Sequence, residues 1–332
     1  MVLIPALPGL IDGAPIAGRH YPKTYADFAS WFSDDHACRA YLEWLRWPSG
    51  FVCPGCGALG EPYRASRNRL VCSSCRGETT VTTGTIFERT QKPLTMWFVT
   101  AWEIVSQKNG LSALALNDAI GVGTYEAAWT MLHKYRSVMV RPDRDRLSGD
   151  VEVDETYVGG GEEGVRGRET KTKSIVAIAV EVRRPRGFGR ARLRRVPDVS
   201  GTSLVSFVCD VVEPGSVVLT DGWRGYHGIG SRGYTHGKTV LSSTNDPAHV
   251  AMPAVHRVAS LLKRWLLGTH QGSVRPEHLQ AYLEEFTFRF NRRTSRSRGL
   301  LFYRLLEQAV TANPLPWADI VGGPTEDPDH KM

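Results

Sequence analysis

Four of the six cysteines stand as Cys53-Pro54-Gly55-Cys56 and Cys72-Ser73-Ser74-Cys75, with fifteen residues between the pairs. Each C-x-x-C turn aims two thiolates at one ion, and two such turns close a tetrahedral four-sulfur site of zinc-ribbon spacing. With sulfur in every position the zinc is structural. Arg64, Arg67, Arg69 and Arg76 surround the pairs and point to phosphate contact, a protein-binding ribbon being the other reading. A second group is acidic: Asp154 lies inside Val151-Glu152-Val153-Asp154-Glu155-Thr156-Tyr157-Val158, and Asp221 follows Val217-Val218-Leu219-Thr220 and precedes Gly222. A carboxylate in an apolar, β-branched run is costly to bury unpaired, and a shared divalent cation is its simplest partner. Two such ions activate water at one end of a phosphodiester and stabilise the leaving oxygen at the other. Taken singly, Asp154 reads better as a solvent-facing acid on an edge strand, and Asp221 as a turn residue. A third pair, His256 and Lys263, is seven residues apart. On a helix that is about two turns and about 10 Å along nearly one face, so that one can touch metal and the other phosphate. The same helix also reads as a core stripe of Val255, Val258, Leu261 and Leu262 with His256 and Lys263 facing water.

These residues need elements to hold them. Apolar spacing from Tyr25 to Trp47 predicts helix, with Asp34 or Asp35 capping its second half and Cys38 on the apolar face. Residues 51–90, cut by Gly57, Gly60, Gly77 and Gly84, form the metal-stapled module. Helices are expected at Leu94–Lys108, Ser112–Ile120 and Thr124–Tyr135, the last two joined by Gly121-Val122-Gly123 as in a helix-turn-helix. From Gly149 the pattern turns to period two. It predicts strands at Val151–Val158, Ser174–Val182 and through the arginine-rich run to Val196, a helix at Gly201–Val212, and strands at Ser216–Thr220 and near Lys238–Leu241. Helices at Pro253–Leu267, Pro276–Asn291 and Gly299–Ala312 precede a polar tail. The expected divisions are a flexible arm (1–24), a helical segment (25–50), a zinc ribbon (51–90), a helix-turn-helix segment (91–148), a catalytic domain (149–312) and a tail (313–332).

A net charge of +7 carried by clustered arginines favours a polyanionic partner, and nucleic acid is the first choice. Arg183, Arg184, Arg186, Arg190, Arg192, Arg194 and Arg195 form one basic run. Arg289, Arg292, Arg293, Arg296 and Arg298 form a second, and Arg264 lies beside Lys263. Both runs flank the acidic pair in sequence order and are read as a phosphate track, with solvated faces as the alternative. No stretch approaches the roughly 20 apolar residues of a membrane span. The cysteine usage, two pairs with Cys38 and Cys209 alone, suits a reducing compartment, and a cytoplasmic, nucleoid-associated protein is expected.

The segments around Asp154 and Asp221 (Val-Glu-Val-Asp-Glu-Thr-Tyr-Val-Gly-Gly and Leu-Thr-Asp-Gly-Trp-Arg-Gly-Tyr), Val255–Trp265, and Tyr282–Phe286 through Phe290–Arg293 resemble bacterial insertion-sequence transposases of the family numbered 1595. The resemblance runs in order from about Phe28 to Arg304. It implies an α/β, ribonuclease-H-like mixed sheet with flanking helices, preceded by a zinc ribbon and a helix-turn-helix. It also implies a DDE-type transposase that cleaves transposon ends and joins them to target DNA, using structural Zn2+ and two catalytic Mg2+ or Mn2+ ions. Its partners would be double-stranded terminal inverted repeats and target DNA, with the chain a homo-oligomer on DNA. Asp154 and Asp221 match the first two catalytic acids, and Lys263 matches the basic residue seven positions after the third. His256 occupies that third place, where subgroups of the family carry Asn or His. A neutral imidazole ligates a metal without adding negative charge, so it holds a second ion more weakly than Glu. Glu152, on the strand face of Asp154, is the next candidate ligand. The alternative is a catalytically inactive, transposase-derived DNA-binding or regulatory protein.

Overall fold

The computed structural model describes residues 14–160, 170, 172–183, 185, 187–238, 252–272 and 274–322. Helix starts follow local chemistry. Thr24 opens α1 (Tyr25–Trp31) with a reciprocal capping box to Asp27, and Asp34 opens α2 (Asp35–Arg46) by accepting from the Ala37 amide at 2.8 Å. Such caps satisfy amides that the helix itself cannot. Three two-residue strands, β1 (Tyr63–Arg64), β2 (Leu70–Val71) and β3 (Glu78–Thr79), pair antiparallel in that order. Pro93 precedes α3 (Leu94–Ser106), while Ser112 and Thr124 cap α4 (Ala113–Ile120) and α5 (Tyr125–Arg136). Gly121 ends α4 at φ 64°, a left-handed conformation that glycine adopts without strain.

The described residues fall into two compact units, one running to Met139 and resuming at Ser295, the other spanning Val140–Thr294. In the first, α1, α2 and α3 meet over an aromatic cluster. Phe32 lies 4.7 Å from Phe98 and 5.0 Å from Tyr41, ring centre to ring centre, and Phe28 meets Phe302 edge-on at 5.3 Å. Phe302 belongs to the helix Arg298–Ala309, so this helix is part of the first unit and not of the expected catalytic domain ending at 312. Periodicity shows that its Leu301-Phe302-Leu305 face is apolar; it does not say which core receives it. At its start Gly299 lies against the Pro22 backbone, where a Cβ would strike the carbonyl oxygen. The expected arm is therefore packed at its end. His20 stacks on Trp44, and its carbonyl accepts from the Tyr41 hydroxyl at 2.7 Å. Within the expected tail a short helix, Trp317–Gly322, buries Ile320 and sets Trp317 against Trp129.

The second unit is a five-stranded mixed sheet. β4 (Asp150–Val158), β5 (Ser174–Val182) and β6 (Phe188–Val196) form an antiparallel meander, while β7 (Val217–Thr220) and β8 (Thr235–Lys238) run parallel to β4, giving the order β6-β5-β4-β7-β8. This is the ribonuclease-H-like mixed sheet. The last strand begins three residues before its expected place, and residues 239–241 lie outside the described ones. Alternation along the strands supplies two apolar faces. Val151, Val153, Ala177 and Ala179 pack with Leu204, Phe207 and Val208 of α6 (Gly201–Val211). Val176, Ile178, Val180 and Leu193 pack with Val255, Val258 and Leu262 of α7 (Pro253–His270) and with Leu283 and Phe286 of α8 (Leu279–Asn291). Residues 140–148, expected in the helix-turn-helix segment, belong here: Leu147 donates to the Val211 carbonyl at 2.8 Å. No described helix is long and apolar enough to cross a membrane.

Because Phe302 fills the aromatic cluster of the first unit, Phe302→Ala is expected to cost about 3–5 kcal/mol. Urea unfolding followed by tryptophan fluorescence reads the loss, while hydrogen exchange of the β4 and β5 amides stays at the wild-type rate.

Candidate active site

Strand pairing aims the two acids at the same end of the sheet. β4 and β7 are parallel with Asp150, Val151 and Glu152 opposite Val217, Val218 and Leu219. Carried two residues further, that register sets Asp221 level with Asp154, on backbones about 5 Å apart. Each carboxylate is oriented by an amide: Asp154 Oδ1 accepts from Glu155 N and Asp221 Oδ1 from Trp223 N, both at 2.9 Å. Thr220 Oγ1 lies 2.9 Å from His236 Nε2 and accepts from Gly222 N at 3.2 Å, fixing the turn that Asp221 begins. Behind the turn, the Tyr226 hydroxyl donates to Glu155 Oε2 at 3.0 Å. Burial first, then the negative charges of Glu155, Asp154 and Asp221, push that hydroxyl well above the usual tyrosine range. One phenol thus senses all three carboxylates.

His256 sits in the first turn of α7, its Nε2 4.0 Å from Asp154 Oδ2. Two donors held at about 2.0–2.2 Å from one ion lie at most about 4.4 Å apart, so this spacing fits a shared cation. Carboxylates are the hard donors that Mg2+ and Mn2+ take, and the imidazole beside Asp154 is a borderline one. Lys263 is two turns further along α7, where burial and then the neighbouring charge of Lys173 lower its pKa. Glu152 is not placed as a metal ligand: it is 4% exposed, and its Oε2 accepts from the Ala254 and Val255 amides at 2.8 and 2.9 Å. Burial raises its pKa, and the two amides oppose that shift. Period two identifies its face; its use as a cap for a helix begun a hundred residues later, and the Tyr226–Glu155 bond, had no signal in the sequence.

The four cysteines converge. Cys53 Sγ and Cys75 Sγ are 3.7 Å apart and Cys56 Sγ and Cys72 Sγ 3.8 Å, with all four sulfurs within 4.8 Å of one another. Zinc–sulfur bonds of about 2.3 Å in a tetrahedron give sulfur separations of about 3.8 Å, so the cluster fits a structural zinc. The Cys75 amide, and with it that of Ser74, holds the Cys72 thiol down to about 6, a thiolate at neutral pH. Of the arginines around it, Arg64 is paired with Glu43 and Arg69 with Glu78, at 2.8 and 2.7 Å.

The arginine run of β6 is not one open track. Arg192 is a correction: it is 4% exposed and donates to the Asp145 and Ala191 carbonyls, because its strand position faces the layer of α6. Burial, then the charges of Arg144 and Arg190, lower its pKa to about 10. Arg194 pairs with Asp210 at 2.7 Å over the Phe207 ring, and Arg190 with Glu181 at 2.7 Å. Arg293 donates to the Phe188, Gly189 and Phe290 carbonyls, and Arg292 stacks on Phe288 at 4.1 Å. Arg183, Arg195, Arg257 and Arg264 are exposed; Arg184 lies outside the described residues.

Residues 33–78 match the transposase zinc-ribbon domain and residues 146–291 the ISXO2-like transposase domain. A protein of Halobacterium salinarum, named as an uncharacterized protein in transposable element ISH50, is 27% identical over 279 residues, covering 78% of this chain and 91% of the relative. The first match takes in all four clustered cysteines, and the second takes in Asp154, Asp221, His256 and Lys263. The chain therefore matches, in one polypeptide and in this order, the zinc-ribbon and transposase domain models of the insertion-sequence family numbered 1595.

Proposed function

We propose that the chain is a DNA transposase that cleaves transposon ends with divalent cations and transfers the freed 3' ends to target DNA. The observation that supports this reading is the parallel β4–β7 register, which carried two residues further brings Asp221 level with Asp154, together with His256 4.0 Å from Asp154. Asp154 and Asp221 hold the cations and His256 completes the set. When bound, Mg2+ or Mn2+ supplies positive charge to the attacking and leaving oxygens. Asp154 is kept in place by the Glu155 amide and Asp221 by the Trp223 amide, so both present a carboxylate without searching rotamers. Lys263, about 10 Å along α7 from His256, contacts a backbone phosphate, and Arg257 and Arg264 of the same helix add to that contact. The zinc ribbon and the α4–α5 pair recognise the terminal repeat, whose binding does not require the acids.

Cleavage of a labelled transposon-end duplex with Mg2+ or Mn2+ tests the site. Asp154→Asn and Asp221→Asn each reduce cleavage by roughly a hundredfold or more, and His256→Ala by roughly tenfold or more, with binding of the repeat unchanged. A wild type that binds the repeat tightly and never cuts identifies an inactive DNA-binding descendant instead.

The sulfur geometry calls for one equivalent of zinc per chain, and Cys56→Ser releases it and exposes the ribbon to protease. Metal analysis reading under half an equivalent in the wild type overturns the zinc site.

Salt dependence separates exposed from buried arginines. Removing Arg257 and Arg264 together lowers the slope of log affinity against log salt by about 2, whereas Arg192→Ala leaves the slope alone and lowers the melting temperature. A slope that responds to Arg192 and not to the α7 pair reverses the assignment.

A further inference from the structure

Asp154 is flanked in β4 by two other acids, and each reaches a different element of the site. Glu152 shares the sheet face of Asp154, and α7 begins above it with Met252 and Pro253, neither of which offers a side-chain cap. The Glu152 carboxylate takes that place, accepting from Ala254 and Val255 through one oxygen. Burying a carboxylate among apolar side chains costs desolvation that a serine or aspartate at position 252 would avoid. What the distant cap adds is a link between helix and strand. It fixes the start of α7 two residues from Asp154, and the residue after Val255 is His256. Glu155, on the opposite face, accepts from Tyr226, which is fully buried five residues beyond Asp221. The three site residues lie on a strand, a turn and a helix, and these two carboxylates bind the turn and the helix to the strand.

We propose that Glu152 and Glu155 are positioning residues of the cation site, Glu152 setting His256 and Glu155, through Tyr226, setting Asp221, each against Asp154. The proposal rests on the cleavage-site reading given above, and its test keeps the two apart. The full-length chain is compared as wild type, Glu152→Ala, Glu152→Gln, Tyr226→Phe and Asp154→Asn. Two properties are measured: hydrogen exchange of the segment beginning α7, and affinity for Mn2+ alone, followed by its electron spin resonance.

Glu152→Ala speeds exchange at the start of α7 by about tenfold and weakens Mn2+ binding by about tenfold. Glu152→Gln, which keeps an oxygen acceptor, recovers most of both. Tyr226→Phe weakens Mn2+ binding roughly threefold and leaves α7 exchange unchanged. Wild-type values of both properties in Glu152→Ala overturn the proposal, and so does wild-type Mn2+ affinity in Tyr226→Phe, a variant that loses one hydroxyl and decides the matter if Glu152→Ala does not fold. If Glu152→Gln damages Mn2+ binding as deeply as Asp154→Asn with α7 exchange untouched, Glu152 is a ligand and not a positioning residue. Equal Mn2+ affinity of wild type and Asp154→Asn overturns the cleavage-site reading, and this proposal with it.

Discussion

The parallel pairing of β4 with β7 carries two acids to one end of the sheet, and the site depends on holding them there. Two like charges held at the roughly 5 Å spacing of neighbouring strands would repel by about 3 kcal/mol at an effective dielectric near 20. The chain offsets part of this with local dipoles, an amide on each carboxylate, and with the imidazole of His256 beside Asp154.

The described arginines of β6 and of the turn after α8 serve the packing of their own unit. Arg190, Arg194 and Arg293 face acids or carbonyls of their own unit, and Arg192 is sealed beneath α6. They join β6, an edge strand, to the helices on either side of the sheet. An edge strand carrying arginines is also a poor template for unwanted pairing with another sheet. The cations left to solvent along α7, Arg257, Lys263 and Arg264, share the helix that bears His256.

The sequence made legible whatever is written in short-range period or spacing. The C-x-x-C pairs announced a four-sulfur cluster, and the alternation of Val151, Val153 and Asp154 marked a strand with its acid on a defined face. Closure of the sulfurs and the five-stranded sheet bore this out. What stayed hidden depends on which surface meets which. The helix Arg298–Ala309 has an apolar face that any core would accept, and only the fit of Gly299 to Pro22 and of Phe302 to Phe28 assigns it to the first unit. Arg192 reads as surface because arginine is seldom buried, yet two carbonyls and the stem's apolar contacts hold it inside.

His256 is best understood together with Glu152. A glutamate at position 256 would bring another negative charge to a region that already contains Glu152, Asp154, Glu155 and Asp221, on a helix whose N-terminus is stabilised by one of them. An imidazole donates a lone pair without adding to that repulsion. The buried Glu152 carboxylate is spent on the Ala254 and Val255 amides at the helix start. The strand thus carries the acids and the helix an imidazole, and the two elements are tied by the Ala254 and Val255 amides. The third position can then differ in residue type from the two acids without changing the element that carries it.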